Sequence, residues 1–239
     1  RPKSSAASDV YKRQIQIRLL DFNNPISLVK FEDAFGILIQ MPNNEGEIIN
    51  PDAIIRVATV HKCMKIAVVD PMAQVLMKPV GEMGFDIAVG SMQRFGIPMG
   101  YGGPHAAFFA TSDKYKRKIP GRIVGQSLDK HGNKALRLAL QTREQHIRRD
   151  KATSNICTAQ ALLANMSGFY AAYHGADGLK TIARRIHLLR ETLLRLLYWN
   201  GFEPDINDGF DTVRWKTDKI IEGYNAVSYT HLRAHETEE

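Results

Sequence analysis

The sequence has few cysteines and no long apolar run. Its 239 residues include two cysteines, Cys63 and Cys157, without the paired spacing of a metal site. This favours a reducing compartment and argues against a disulfide framework or a zinc site. No run of about 18 apolar residues is present, so we expect no membrane span. The first residues also lack the three regions of a secretory signal.

Several motifs of catalysis and binding are missing as well. There is no Walker phosphate loop and no nucleophile elbow. No metal-ligand spacing joins the histidines, of which His105 after Gly-Gly-Pro and His146 amid arginines are the better site candidates. The net charge of +7 is spread along the chain, apart from a basic cluster at residues 143–151. Without basic-aromatic interleaving, a helix-turn-helix or a zinc finger, we expect no nucleic-acid partner. The missing apolar run and the missing ligand spacing likewise lead us to expect no membrane and no metal. An acidic protein partner or a plain solvated surface explains the charge.

The two ends of the chain look foreign to the rest. Residues 9–14 can be written in codons whose reverse complement, read one frame over, encodes residues 227–231. Such an inverted pair is typical of adapter DNA translated by mistake, so we exclude residues 1–14 and 227–239 from the fold interpretation. We therefore expect the natural protein to continue beyond both ends.

The full sequence has the composition of a soluble globular protein, with 44% hydrophobic and 24% charged residues. Short apolar runs at 34–41, 65–69, 85–89 and 106–110 predict buried strands. Asn50 as a cap and Pro51 at the first position predict a helix between the first two. This alternation predicts a mostly parallel α/β sheet, with functional residues such as Asp70 and Ser91 beyond its carboxyl edge. Asp70 can pair with a heterocyclic nitrogen or cap the next helix.

A glycine-rich segment joins the last two strands. Residues 90–105 contain five glycines and two prolines, which excludes a helix interior and predicts a strand end, a crowded turn and a return strand. Glycine at this density indicates backbone that closely approaches a ligand, another chain or the protein's own core. A merely tight connection is the alternative.

The second part of the chain has a different character. Residues 129–133 have the chemistry of a hairpin loop. Residues 140–155 are dense in side chains that bind anions, although a solvated helix face explains them as well. Helices are predicted from 158 to 173 and from 179 to 199, separated by a break at 174–178, and residues 210–215 alternate like a half-buried strand. In the second of these helices, the apolar positions that keep helical spacing are Ile182, Ile186, Leu189, Leu193 and Leu197.

Residues 31–220 resemble the amino-terminal half of the glycine cleavage system P-protein, a pyridoxal-phosphate-dependent glycine decarboxylase. The resemblance is carried by DIAVGS at 86–91, QRFG at 93–96, PMGYGGPHAAFFAT at 98–111, PGRI at 120–123 and residues 140–164. It implies a fold type I pyridoxal-phosphate transferase: a large domain with a mostly parallel sheet and helices on both faces, and a small α+β domain. We place the partial large domain at 15–173 and the start of the small domain at 174–226.

The resemblance also implies that this half lacks the cofactor-binding lysine. P-proteins have two similar halves, fused or separate, and one carries a Schiff-base lysine in a His-Lys pair. Here the pair reads Met92-Gln93, and a glutamine cannot form a Schiff base. Lys78 lies upstream and does not align with the pair. Asp70 stands where the other half keeps its pyridine-nitrogen acid, and we interpret it as vestigial.

The implied reaction decarboxylates glycine on pyridoxal phosphate in the lysine-bearing half and passes the aminomethyl group to the lipoyl arm of H-protein. This chain would then support the site across a shared interface, and alone it is expected to be inactive. In a bacterium the location would be the cytoplasm, and in a eukaryote the mitochondrial matrix. The cofactor- or interface-facing candidates are Tyr101, Gly102, Gly103, His105, Arg143, His146, Arg148, Thr153, Ser154 and Asn155.

Two alternatives stay open. The first is a non-catalytic structural partner, in which the same residues only hold the interface together. The second is another fold type I enzyme of the desulfurase or aminotransferase kind, against which Gln93 argues because such an enzyme needs a lysine there.

Overall fold

The computed structural model describes residues 17–20, 33–119, 123–139, 159–204 and 208–215. Its centre is a four-stranded sheet in the order β1-β2-β3-β4, with strands Gly36–Met41, Met64–Val69, Ile87–Ser91 and Ala107–Thr111. The first three strands are parallel and β4 returns antiparallel to β3. The predicted mostly parallel α/β sheet, with the return strand after the glycine-rich segment, is therefore confirmed.

Two short helices flank β2. Helix α1 spans Asp52–Val60 and helix α2 spans Pro71–Gln74. The predicted start of α1 is wrong by one residue: Pro51 occupies the cap position, while the Asn50 side chain accepts the N–H of Asp52 at 3.0 Å. The first apolar core forms between α1 and the strands. It contains the following buried residues: Ile37, Ile39, Met41, Ile54, Ala58, Cys63, Ala67, Val69, Val80 and Phe85.

An ion pair closes the amino edge of the sheet, opposite the end where β2 and β3 finish. Lys65 Nζ lies 2.8 Å from Asp86 Oδ2, and the same oxygen accepts the backbone N–H of Lys65 at 3.0 Å. Burial by itself raises the pKa of Asp86, but the hydrogen bonds and the charge of Lys65 outweigh it and hold that pKa below its usual value. The pair therefore ties β2 and β3 together at their amino ends.

A separate hairpin follows, as the sequence predicts. Strands β5 (Ile123–Leu128) and β6 (Lys134–Ala139) pair antiparallel, and the Asp129 carboxylate accepts the N–H groups of His131 and Asn133 at the turn. These bonds lower the pKa of Asp129. One face of the hairpin carries exposed Val124, Leu128, Leu136 and Leu138.

The last element is a long helix, α3, over Ala161–Trp199. The predicted break at 174–178 is confirmed, because the backbone leaves the helical conformation at Gly175, where φ is 60° and ψ is −173°, and two helical segments meet there at a kink. The predicted apolar stripe is also divided: Ile182 and Ile186 pack on a second core, but Leu189 and Leu193 are exposed. Of the described helices, none is long and apolar enough to cross a membrane.

The predicted strand at 210–215 is wrong. The described residues 208–215 form isolated β-bridges at Gly209 and Trp215 but no strand. Phe210 is instead buried, with 2% of its surface exposed, in the second core with Met72, Phe95 and Ala183. Side-chain packing against α2 and α3, and not a strand ladder, therefore accounts for the alternation of apolar residues.

Candidate functional site

The carboxyl ends of β2 and β3 meet at one edge of the sheet. Val68 pairs with Val89 in parallel register, so Asp70 and Ser91 follow neighbouring strand ends, as predicted. The Ser91 hydroxyl accepts the N–H of Gln93 at 3.2 Å, which starts the turn after β3. This is the edge where functional groups gather in parallel α/β sheets.

Asp70 uses both of its carboxylate oxygens at this edge. Oδ1 accepts the N–H of Met72 at 2.8 Å and caps α2, as one of the two sequence interpretations predicts. Oδ2 lies 2.6 Å from Nε of Arg94, and Nη2 of the same guanidinium pairs with Asp211. One arginine therefore links a strand end to the segment at 208–215.

Burial dominates the electrostatics of Asp70. Burial is the largest effect and raises the pKa of the carboxyl, while Arg94 and the N–H groups of Met72 and Ala73 lower it. The nearby charge of Asp211 adds to the rise, and the pKa is raised overall. The native state thus holds this proton more tightly than the unfolded chain does. Ionisation of Asp70 consequently reduces stability as the pH rises from the ordinary carboxyl pKa of 3.8 through the raised value.

The glycine-rich segment has two different halves. In its first half, the glycines approach the protein's own core: a Cβ at Gly90 would lie 2.1 Å from the Val69 carbonyl oxygen, and one at Gly96 3.0 Å from the Tyr170 ring. In its second half, Gly100 and Gly102 have positive φ angles and a Cβ there would meet nothing within 4 Å among the described residues. Close approach to the protein's own core is thus confirmed for the first half, while for the second half approach to a ligand or another chain stays a prediction.

Tyr101 lies in that open half, in a short 3-10 turn over Gly100–Gly102. Its φ of 53° is unusual for a tyrosine, and 94% of its side chain is exposed. Gly103 donates to the Gly100 carbonyl, and the His105 ring lies 3.4 Å from the Gly103 carbonyl oxygen through Nδ1. The loop therefore displays an aromatic side chain away from the rest of the described chain.

The structure describes only some of the predicted site residues. Tyr101, Gly102, Gly103 and His105 share the loop just described. The other candidates lie outside the described residues: Arg143, His146, Arg148, Thr153, Ser154 and Asn155. Among the described residues, no group of three or more His, Cys, Asp or Glu is arranged to hold a metal ion.

Of the described lysines that precede the Met92-Gln93 pair, one lies in β2 and one beyond α2. Lys65 pairs with Asp86 at the amino edge of the sheet, and Lys78 is exposed beyond α2. The position of the predicted pair is taken by half-buried Met92 and Gln93.

A cavity of about 620 Å³ lies against one face of β2, β3 and β4. The described residues that line it are largely apolar, among them Val69, Phe85, Ile87, Met92 and Phe108, and include no lysine or arginine. These described residues therefore offer no cation for a phosphate group.

Sequence reasoning missed Arg94 and Asp211. Arg94 directly follows Gln93, so the sequence did contain one signal for it, a positive charge close after the end of β3. Asp211 had none, because it lies 117 residues away in the chain.

Comparison with known proteins gives a consistent result. The family model described as "Glycine cleavage system P-protein" matches residues 3–230. The chain is 58% identical over 187 residues to glycine dehydrogenase (decarboxylating) of Aliivibrio fischeri strain ES114, covering 78% of this chain and 20% of the relative. It is 61% identical over 180 residues to the protein of that name from Parasynechococcus marenigrum, covering 75% of this chain and 19% of the relative. The chain thus spans about a fifth of the length of these relatives.

Solved structures show the same relationship. A crystal structure of glycine decarboxylase (P-protein) of the glycine cleavage system, in inhibitor-bound form, matches with a TM-score of 0.72 and 36% identity, over 78% of this chain and 44% of that one. A cysteine desulfurase from Thermococcus onnurineus NA1 matches with a TM-score of 0.50 and 14% identity, over 81% of this chain and 46% of that one, which supports the fold alone. The predicted fold type I class is confirmed.

Proposed function

Because the chain belongs to the glycine cleavage system P-protein family, we propose that it is a fragment of the amino-terminal half, or of the separate lysine-free subunit, of a glycine decarboxylase. The complete enzyme would decarboxylate glycine and pass the aminomethyl group to the lipoyl arm of H-protein. The family match over most of the chain, with 58% identity to a bacterial relative, is the observation that carries this proposal.

The carboxyl edge of this half does not fit pyridoxal phosphate. Gln93 offers an amide, which cannot form the covalent link that a lysine amine forms. Asp70 is the acid that a pyridine nitrogen would need, but its two oxygens are engaged by the Met72 N–H and by Arg94. We therefore assign the cofactor to the lysine-bearing half and derive no chemical step from this one.

Our proposal for this half is that it lends residues to its partner's site. The loop with Tyr101, Gly102, Gly103 and His105 is open on the side away from the described core. We place Arg143, His146, Arg148, Thr153, Ser154 and Asn155 at the same interface, because guanidinium, hydroxyl and amide groups bind phosphate or carboxylate. In this role the residues would orient glycine or hold the phosphate, without acting on the reacting bond themselves.

We retain the proposed organisation of the chain. The division between residues 173 and 174 lies next to the Gly175 kink. The complementary codons support an adapter origin for residues 1–14 and 227–239, although the family match at 3–230 overlaps both segments. The bacterial relatives support a cytoplasmic location in a bacterium, and the mitochondrial matrix would apply to a eukaryote.

Turnover by a complete enzyme tests this proposal. Glycine-dependent incorporation of labelled bicarbonate, measured with H-protein, should fall in Arg143→Ala, His146→Ala and Tyr101→Ala. Tyr173→Ala is a matched control, since Tyr173 is 86% exposed but lies on α3. If the rate and the cofactor affinity of the three variants equal those of the control, these residues only stabilise the interface, and the structural-partner alternative is correct.

A further inference from the structure

Arg94 lies between two carboxylates that come from distant parts of the chain. Its Nε is 2.6 Å from Asp70 Oδ2 at the end of β2, and its Nη2 pairs with Asp211 in the segment 208–215. Both acids are largely shielded, with 15% and 20% of their side chains exposed. The guanidinium carbon also lies 5.9 Å from the centre of the Phe210 ring, within the range of a cation–π contact.

We propose that Arg94 is an internal cation that permanently occupies the Asp70 carboxylate and uses it to dock the 208–215 segment onto the carboxyl edge of the sheet. Asp70, at a strand end where a fold type I protein can present an acid to a ligand, would here bind a side chain of its own chain. We call this contact of Arg94 with Asp70 and Asp211 the clamp. This inference rests on the contacts of three residues and stands whether or not the complete protein decarboxylates glycine.

Arginine suits this role better than lysine does. Its planar guanidinium offers several N–H groups in a fixed fork, so Nε and Nη2 can serve two carboxylates at once. A lysine at 94 would supply the charge as a single point and could not keep both distances short. Arg94 directly follows Gln93, so the clamp lies next to the position at which we expect the lysine of the other half.

The other anchors of the segment attach it to different elements. The His187 ring contacts the Phe210 carbonyl oxygen at 3.2 Å, and Arg190 donates to the Thr212 carbonyl oxygen at 3.0 Å, both from α3. Arg214 pairs with Glu45 before α1. Loss of Arg94 should therefore loosen the segment from the sheet edge, without releasing it from α3 or unfolding the strands.

Removing Arg94 should also leave two carboxylates facing each other without a cation. The charge of Asp211 already disfavours ionisation of Asp70 in the presence of Arg94. In Arg94→Ala this repulsion would be uncompensated, which should push the 208–215 segment away. Arg94→Lys should lie between this variant and the wild type.

Hydrogen exchange of the full-length protein, followed by mass spectrometry, tests the clamp. In Arg94→Ala, amides in peptides covering 208–215 should exchange on the order of tenfold faster, the size expected for losing hydrogen bonds to charged groups. Peptides covering β1 and β2 should be unchanged, and methylguanidinium, which can bind between the two acids, should restore part of the protection. Unchanged exchange in 208–215, or faster exchange everywhere without rescue, would overturn the proposal.

A second variant keeps the test decisive if Arg94→Ala does not fold. Asp211→Asn leaves Asp70 paired with Arg94 and removes only the charge on the segment. It should raise exchange in 208–215 severalfold, whereas Asp113→Asn, an exposed acid paired with Lys116, should not. Equal exchange in these two variants would show that Arg94 does not dock the segment.

Discussion

Gly90 provides the sharpest test of the sheet geometry behind the site. It lies in β3 between β2 and β4, where a Cβ would be 2.1 Å from the Val69 carbonyl oxygen and 2.6 Å from the Phe108 ring. A carbon and a carbonyl oxygen need about 3.3 Å, so Gly90→Ala would require a shift of roughly 1 Å in packed backbone. Overpacking of this kind costs about 1–3 kcal/mol, and we expect the upper end because the obstacle is main chain and not a flexible side chain.

The assay is hydrogen exchange of the full-length protein in peptides that cover β2 and β3. A loss of about 3 kcal/mol corresponds to exchange faster by roughly two orders of magnitude, if exchange follows the opening equilibrium. Gly81→Ala is the matched control, because a Cβ there meets nothing within 4 Å and the backbone φ is not in the left-handed region. If both variants exchange at the wild-type rate, β3 does not lie against β2 as described.

Two further predictions concern the edge ion pair and the isolated chain. Asp86→Asn should cost about 1–2 kcal/mol at neutral pH, since it weakens hydrogen bonds to a charged group. The folded pKa of Asp86 is lowered, so this stability is present above the unfolded pKa of 3.8 and is lost as the pH falls through the folded value. Urea unfolding from pH 7 to pH 3 should therefore show the advantage of the wild type over Asp86→Asn shrinking at the acid end. A gap that stays constant over this range would contradict the assignment. The 239-residue chain alone should neither release carbon dioxide from glycine nor show the absorbance of lysine-bound pyridoxal phosphate near the visible edge, and either signal would refute its assignment as the lysine-free half.

The sheet was predictable from sequence because local patterns determine it. Apolar, partly β-branched runs located the four strands to within about two residues, and the density of glycine in residues 90–105 excluded a helix there. That Gln93 stands at the lysine position of the other half stays a prediction, because it depends on the family resemblance and not on a local pattern.

The contacts that complete the site edge were not predictable in this way. Arg94 joins Asp70 and Asp211, which are distant in sequence, and spacing carries no signal for such pairs. The alternation at 210–215 predicted a strand, but Phe210 is buried by packing and the Thr212 carbonyl oxygen is satisfied by Arg190. Tertiary contacts here satisfy the groups that a strand ladder would otherwise use.

The location of the cofactor-bearing lysine tests the central claim most directly. The complete enzyme, loaded with pyridoxal phosphate, is reduced with borohydride to fix the cofactor on its lysine, and the digested peptides are mapped by mass spectrometry. We predict that the modified lysine lies outside residues 1–239 and that peptides with Lys65 and Lys78 are unmodified. A stoichiometric pyridoxyl group on any lysine of this chain would contradict its role as the lysine-free half.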